Sequence, residues 1–147
     1  MTVDVLTEIT IDRPVDVVAS YAADPANAPE WYANIDSIDW ETPPPVGVGS
    51  RMAFVARFLG RRLAYTYEVV DLVPGERLVM RTAQGPFPME TTYTWAAEGG
   101  GTRMTLRNRG EPSGAFAVAA PVMARAMRRA NTKDLARLKA LLESREA

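Results

Sequence analysis

Apolar and polar residues alternate along most of the first 110 positions, and a helical period replaces this alternation after Gly110. Residues 3–11 place valine, threonine and isoleucine on one face, which predicts a half-buried strand. Six further strands are predicted over residues 35–41, 51–59, 63–72, 78–82, 89–96 and 102–109. Tight turns such as Pro74-Gly75 separate neighbouring strands, which indicates antiparallel pairing.

Three helices are predicted around these strands. Pro14 suits the first turn of a short helix, because its missing N–H has no partner there, and Asp24 ends that helix. Asp24 can then cap a second short helix from Pro25 through Tyr32. A long C-terminal helix is predicted over residues 121–143, about 35 Å in length at about 1.5 Å per residue. Its apolar stripe contains Met127, Asn131, Leu135, Leu138 and Leu142.

This order of elements predicts an α+β fold. A curved antiparallel sheet of about seven strands packs around the long C-terminal helix, with two short helices after the first strand. Because one helix cannot touch a curved sheet everywhere, we expect a cavity between them. The length of 147 residues and the absence of repeats or a linker predict one domain over residues 1–147.

The composition narrows the possible chemistry, because the chain has no histidine and no cysteine. Imidazole and thiolate metal ligands, cysteine nucleophiles and serine–histidine–aspartate triads are therefore excluded. The carboxylates are scattered without the spacing of a metal site. We expect no cofactor and no metal.

Charge and hydropathy argue against nucleic acid and against a membrane span. The net charge is −1, which is too balanced for wholesale binding to nucleic acid. No apolar run approaches the ~18 residues of a membrane span, and the N-terminus lacks a signal-peptide pattern, so a cytoplasmic location is expected. Residues 125–147 still carry seven basic and three acidic residues. They indicate either a solvated helix face or a surface for an anionic partner.

Five local sequences, spread in order along nearly the whole chain, resemble the SRPBCC superfamily. They are residues 11–31 (IDRPVDVVASYAADPANAPEW), 45–52 (PVGVGSRM), 69–80 (VVDLVPGERLVM), 99–106 (GGGTRMTL) and 134–143 (DLARLKALLE). This superfamily has the helix-grip fold of START domains, birch-pollen-allergen-like proteins and polyketide cyclase/dehydrase-like proteins. The resemblance implies a small hydrophobic ligand, such as a lipid or polyketide, held between sheet and helix.

Strand alternation and the C-terminal helix predict which residues line that cavity, and the short helices and a loop place Trp31, Tyr32 and Phe87 at its mouth. Methionine and aromatic side chains adapt to apolar ligands of irregular shape, although the same residues form any ordinary core. The candidate lining consists of Trp31, Phe54, Phe58, Tyr65, Tyr67, Met80, Phe87, Met89, Tyr93, Met123, Met127 and Asn131. Asn131 must either meet a backbone group or face a polar part of the cavity.

The same alternation directs four charged residues outward, namely Arg57, Arg81, Glu90 and Arg107. A register slip of one residue would turn all four inward. Charged residues directed into the cavity would favour an enzyme, whereas outward ones would not.

Three functions stay open. A ligand-binding protein predicts a closed apolar cavity without ionisable groups. An enzyme of the polyketide cyclase or dehydratase type, acting through tyrosine and arginine hydrogen bonds, requires a charged residue directed into the cavity. An interaction module similar to Hsp90 co-chaperones predicts a cavity filled by its own side chains. No catalytic residue is assigned, and both a monomer and a homodimer are compatible with the sequence.

Overall fold

The strands predicted from alternation are present. The computed structural model describes residues 3–58 and 60–145. Its strands are β1 (Val3–Ile11), β2 (Ile35–Trp40), β3 (Arg51–Phe58), β4 (Arg61–Val73), β5 (Arg77–Gln84), β6 (Met89–Glu98) and β7 (Gly101–Gly110). Within the described residues they form one seven-stranded antiparallel sheet in the order β1-β7-β6-β5-β4-β3-β2. The predicted α+β fold is therefore confirmed.

The helices follow the predicted order with two differences. They are α1 (Val15–Ala22), α2 (Ala28–Trp31), α3 (Ala115–Val118) and α4 (Ala120–Ser144), with a 3-10 turn over Pro25–Asn27. The predicted second helix is therefore a 3-10 turn followed by a single α-helical turn, because the backbone is already extended at Tyr32. The short helix α3 was not predicted. No helix in the described part of the chain has both the length and the apolar composition of a membrane span.

Irregular pairing accompanies the curvature of the sheet. The register between β4 and β5 shifts at Thr66/Tyr67 and again at Val69/Asp71. Such bulges bend a strand and increase its twist, which curves the sheet around α4. Charged side chains occupy the outer face, where Arg81 pairs with Glu90 at 2.6 Å and Arg107 with Asp4 at 2.6 Å.

The two halves of helix α4 contact different parts of the protein. Its C-terminal half buries Leu135, Leu138 and Leu142 in the main core. Arg13 Nη1 donates to the Leu142 carbonyl at 2.5 Å, and Lys139 Nζ donates to the Thr10 carbonyl at 3.0 Å, so this half is fixed to β1 and the loop after it. The N-terminal half packs Ala120 and Met123 into a second, smaller core with Val3, Val5 and Phe87, and it borders a cavity beside that core.

Candidate ligand cavity

A cavity of about 140 Å³ lies between the inner face of β3–β6 and the N-terminal half of α4. The predicted residues that line it are Phe54, Phe58, Tyr65, Tyr67, Met80, Phe87, Met89, Tyr93, Met123, Met127 and Asn131. An apolar cavity of about 150 Å³ is large enough to hold a benzene ring. The space is therefore close in size to a cavity that holds one ring.

Trp31 is the predicted lining residue that does not reach the cavity. It is fully buried behind the wall, with its ring centroid 4.2 Å from that of Tyr32 and 5.7 Å from that of Tyr93. Since the chain becomes extended directly after Trp31, Tyr32 lines the cavity instead. Trp31 supports two lining tyrosines and does not face the ligand space.

A chain of hydrogen bonds crosses one part of the wall. The Tyr67 hydroxyl lies 2.8 Å from Thr91 Oγ1, and Asn108 Nδ2 donates to the same oxygen at 2.7 Å. Asn131 Nδ2 donates to Asn108 Oδ1 at 2.6 Å. Asn131 thus faces a polar part of the cavity, one of the two alternatives that the sequence left open. Sequence reasoning missed Thr91, although it shares the inner face of β6 with Met89 and Tyr93.

A second group of polar atoms keeps unused hydrogen-bonding capacity. Tyr65 lines the cavity, and its hydroxyl makes no hydrogen bond with the described residues. The hydroxyls of Tyr32 and Tyr93 lie 2.7 Å apart and share one hydrogen bond, although the pair carries two hydroxyl hydrogens. One of these hydrogens is left without an acceptor among the described residues. The cavity therefore offers at least two hydroxyl groups to a ligand.

Asp134 places a carboxyl group in the same wall. It is 3% exposed, and its Oδ1 accepts a hydrogen bond from the Ala33 backbone N–H at 3.1 Å. Desolvation raises the pKa of Asp134 to about 6, against the opposing effects of the Ala33 hydrogen bond and the Arg137 charge. The cavity wall therefore contains an ionisable group, which the enzyme hypothesis requires and the ligand-binding hypothesis did not predict. The spacing along α4 could have predicted that Asp134 faces the sheet, because position 134 lies seven residues after Met127 and four before Leu138, on the same face of the helix.

The lining tyrosines are neutral hydrogen-bond donors. Burial raises the pKa of Tyr67 to about 12 and holds the pKa values of Tyr65 and Tyr32 well above their usual range. These hydroxyls therefore stay protonated near pH 7. They can donate a hydrogen bond to a ligand oxygen, but no phenolate is present to act as a base. Asp134 is the lining group whose charge changes near neutral pH.

The charged residue at the cavity mouth is held at the surface. Arg57 is exposed, and its Nε donates to Asp36 Oδ2 at 2.9 Å, so its guanidinium does not enter the cavity. Arg57, Arg81 and Arg107 are all exposed, which agrees with the predicted strand register. No cluster of three or more acidic side chains that could hold a metal ion occurs among residues 3–58 and 60–145.

An antiparallel sheet curved around one long helix, with a cavity between them, defines the helix-grip class of proteins. The family model for polyketide cyclase / dehydrase and lipid transport matches residues 2–143. The chain belongs to this family, and the resemblance to the SRPBCC superfamily is confirmed.

Solved structures show the same fold at low sequence identity. TTHA0849 from Thermus thermophilus is 20% identical, with a TM-score of 0.84 over 98% of this chain and 99% of that one. The Zhui aromatase/cyclase from Streptomyces sp. R1128 is 16% identical, with a TM-score of 0.81 over 99% and 96%. A START superfamily protein from Mycobacterium smegmatis is 14% identical, with a TM-score of 0.82 over 96% and 97%. A comparison with curated proteins gives no match.

Proposed function

We propose that this protein binds a small, largely apolar molecule that carries one ring and one hydroxyl group, as a phenol does. The observation that carries the proposal is the pairing of an apolar, ring-sized cavity with polar atoms that lack partners in the described residues: the Tyr65 hydroxyl and Asp134 Oδ2. A hydrogen bond contributes about 0.5–1.5 kcal/mol net, so a ligand hydroxyl that bonds to one of these atoms gains affinity over a ligand without a hydroxyl group.

The aromatic part of the wall supports a flat ligand. The rings of Phe54 and Tyr65 are stacked with centroids 5.5 Å apart, and Tyr65 meets Tyr67 edge-on at 5.0 Å. A ligand ring can extend such a cluster through stacked or edge-on contacts. Met80 and Met127, which also line the cavity, are flexible and can move to admit a ligand larger than one ring.

The family supports an apolar ligand, since its description covers polyketide cyclases, dehydrases and lipid transport. We further propose, as the sequence predicts, that residues 1–147 act as one cytoplasmic domain without a cofactor.

A titration calorimetry comparison of p-cresol with toluene tests the proposal. The two probes have similar shape and differ by one hydroxyl group, so we expect p-cresol to bind about tenfold more tightly. Ala56 lies in the cavity wall, and Ala56→Leu should abolish binding of both probes. Ala64→Leu is the matched control, because Ala64 is exposed on the next strand and does not line this cavity. Equal affinity for the two probes, or full binding by Ala56→Leu, contradicts the proposal.

Asp134 favours a second candidate function, proton transfer in an enzyme of the cyclase or dehydratase type. A carboxylate with a pKa of about 6 can take a proton from the carbon next to a ketone, while a tyrosine hydroxyl donates to the enolate oxygen. Deuterium exchange of cyclohexanone in D2O, followed by NMR, measures this step. Faster exchange with the wild type than with Asp134→Asn supports the enzyme, and equal rates exclude this role for Asp134.

A further inference from the structure

The outer face of α4 combines apolar and basic side chains in one strip. Val122, Arg125, Arg129 and Lys133 follow each other at spacings of three, four and four residues, so they share one face of the helix, and all four are exposed. Val118 lies one turn earlier, at the end of α3. Val118 is 87% exposed and Val122 is 60% exposed. We call these five residues the basic strip.

The cations of the basic strip are unpaired, unlike those on the outer face of the sheet. Arg125, Arg129 and Lys133 form no ion pair or hydrogen bond with the described residues. On the sheet, by contrast, each of Arg51, Arg57, Arg77, Arg81, Arg103 and Arg107 contacts a carboxylate. The positive charge of the basic strip is therefore free to meet an external anion, although the whole chain has a net charge of −1.

The two exposed valines distinguish between anionic partners. Phosphates of a nucleic acid offer aliphatic side chains nothing to pack against, whereas a lipid surface presents phosphates above an apolar layer. A helix lying flat on such a surface buries its apolar residues among the acyl chains and keeps its cations at the headgroups. From Val122 to Lys133 the strip extends about 16 Å, at about 1.5 Å per residue.

We propose that the basic strip docks the protein on an anionic lipid surface. The opposite side of the same helical segment carries Met123 and Met127, which cover the cavity. Docking through the basic strip therefore places the cavity cover next to the lipid layer, where apolar molecules dissolve. The inference needs no particular cavity ligand, so it stands or falls separately from the proposed binding function.

Flotation with vesicles tests this surface. We would use the full chain with vesicles of phosphatidylcholine alone and with vesicles in which about 30% of the lipid is phosphatidylglycerol, an anionic lipid. The wild type should float with the anionic vesicles only, and less so at high salt. Replacing Arg125, Arg129 and Lys133 together by glutamine should weaken binding about tenfold or more. Val118→Ser with Val122→Ser should weaken it severalfold.

The matched control removes the same amount of charge from the opposite side of the molecule. Arg51→Gln, Arg77→Gln and Arg103→Gln lie on the outer face of the sheet and should leave flotation unchanged. Circular dichroism spectra establish that each variant is folded. Absence of flotation with anionic vesicles, or equal loss in both triple variants, overturns the proposal. The proposal is also overturned if the valine variant floats as the wild type does and the same three cations bind a single-stranded RNA.

Discussion

The two halves of α4 perform different tasks within one continuous helix. The C-terminal half buries three leucines in the main core and is tied to β1 and its following loop by Arg13 and Lys139. The N-terminal half covers the cavity with Met123 and Met127 and exposes the unpaired cations of the basic strip. The C-terminal half therefore packs in the main core, whereas the N-terminal half combines a smaller core around Ala120 and Met123 with the contacts to the cavity, and Asp134 lies at the boundary.

Leu138→Ala tests the C-terminal half of α4, which packs in the main core. Leu138 is fully buried, and Leu138→Ala should lower the free energy of unfolding by about 2–5 kcal/mol through lost packing and a new void. Chemical denaturation measures this loss. The folded fraction should bind p-cresol as the wild type does, because Leu138 does not line the cavity. A loss well below about 1 kcal/mol would remove the distinction between the two halves.

Asp134→Asn tests the residue at the boundary between the two halves of α4. The folded protein holds the Asp134 proton with a pKa of about 6, against 3.8 for an ordinary aspartate. Protonation therefore stabilises the folded state as the pH falls from about 6 to about 4, and this contribution is lost as the pH rises through about 6. The asparagine side chain keeps an acceptor for the Ala33 N–H and carries no charge. At pH 7 the variant should be about 1–2 kcal/mol more stable than the wild type.

Denaturation curves at several pH values measure that difference, which should shrink toward about pH 4. Arg137, Tyr32 and Tyr93 are the other charged or titratable groups that act on Asp134 or respond to it, and they are unchanged in the variant. A constant difference across this range would mean that Asp134 is not the titrating group.

Met127→Ala tests the functional half with a change similar to Leu138→Ala. Because Met127 is only partly buried and borders a cavity, its truncation should cost about 1 kcal/mol, less than the ~2–5 kcal/mol of a fully buried methionine. The enlarged cavity should bind 2-naphthol more tightly than the wild type does. Fluorescence titration of 2-naphthol measures this gain. Unchanged or weaker binding would place the ligand elsewhere.

Tyr65→Phe is the smallest and most selective change. It removes a hydroxyl without a partner among the described residues, so the free energy of unfolding should change by less than about 0.5 kcal/mol. The affinity for p-cresol should fall about three- to tenfold while the affinity for toluene stays the same. Tyr67→Phe is the control, since its hydroxyl contacts Thr91 and its removal should reduce stability instead. Equal losses for both probes would show that Tyr65 acts through ring packing alone.

Much of the fold could be predicted from the sequence, because the signals were local. Strand alternation identified the inner face, and the i, i+4 spacing from Met127 to Asn131 oriented α4. Details that depend on tertiary placement were missed. Asp134 resembles an ordinary solvated charge in the sequence, because only the folded structure desolvates it. The sequence places both Trp31 and Tyr32 at the cavity mouth, and only the folded structure separates them, since Tyr32 lines the cavity while Trp31 packs behind it.

The methionine methyl groups report directly on whether a ligand enters the cavity between the sheet and α4. Met80, Met89, Met123 and Met127 line the cavity, whereas Met52 and Met104 are fully buried elsewhere in the core. A titration of 13C-methyl-methionine protein with p-cresol, followed by NMR, should give saturable ring-current shifts for the four cavity methyls and none for the two core methyls. Shifts of all six together, or of none, would contradict a ligand site between the sheet and α4.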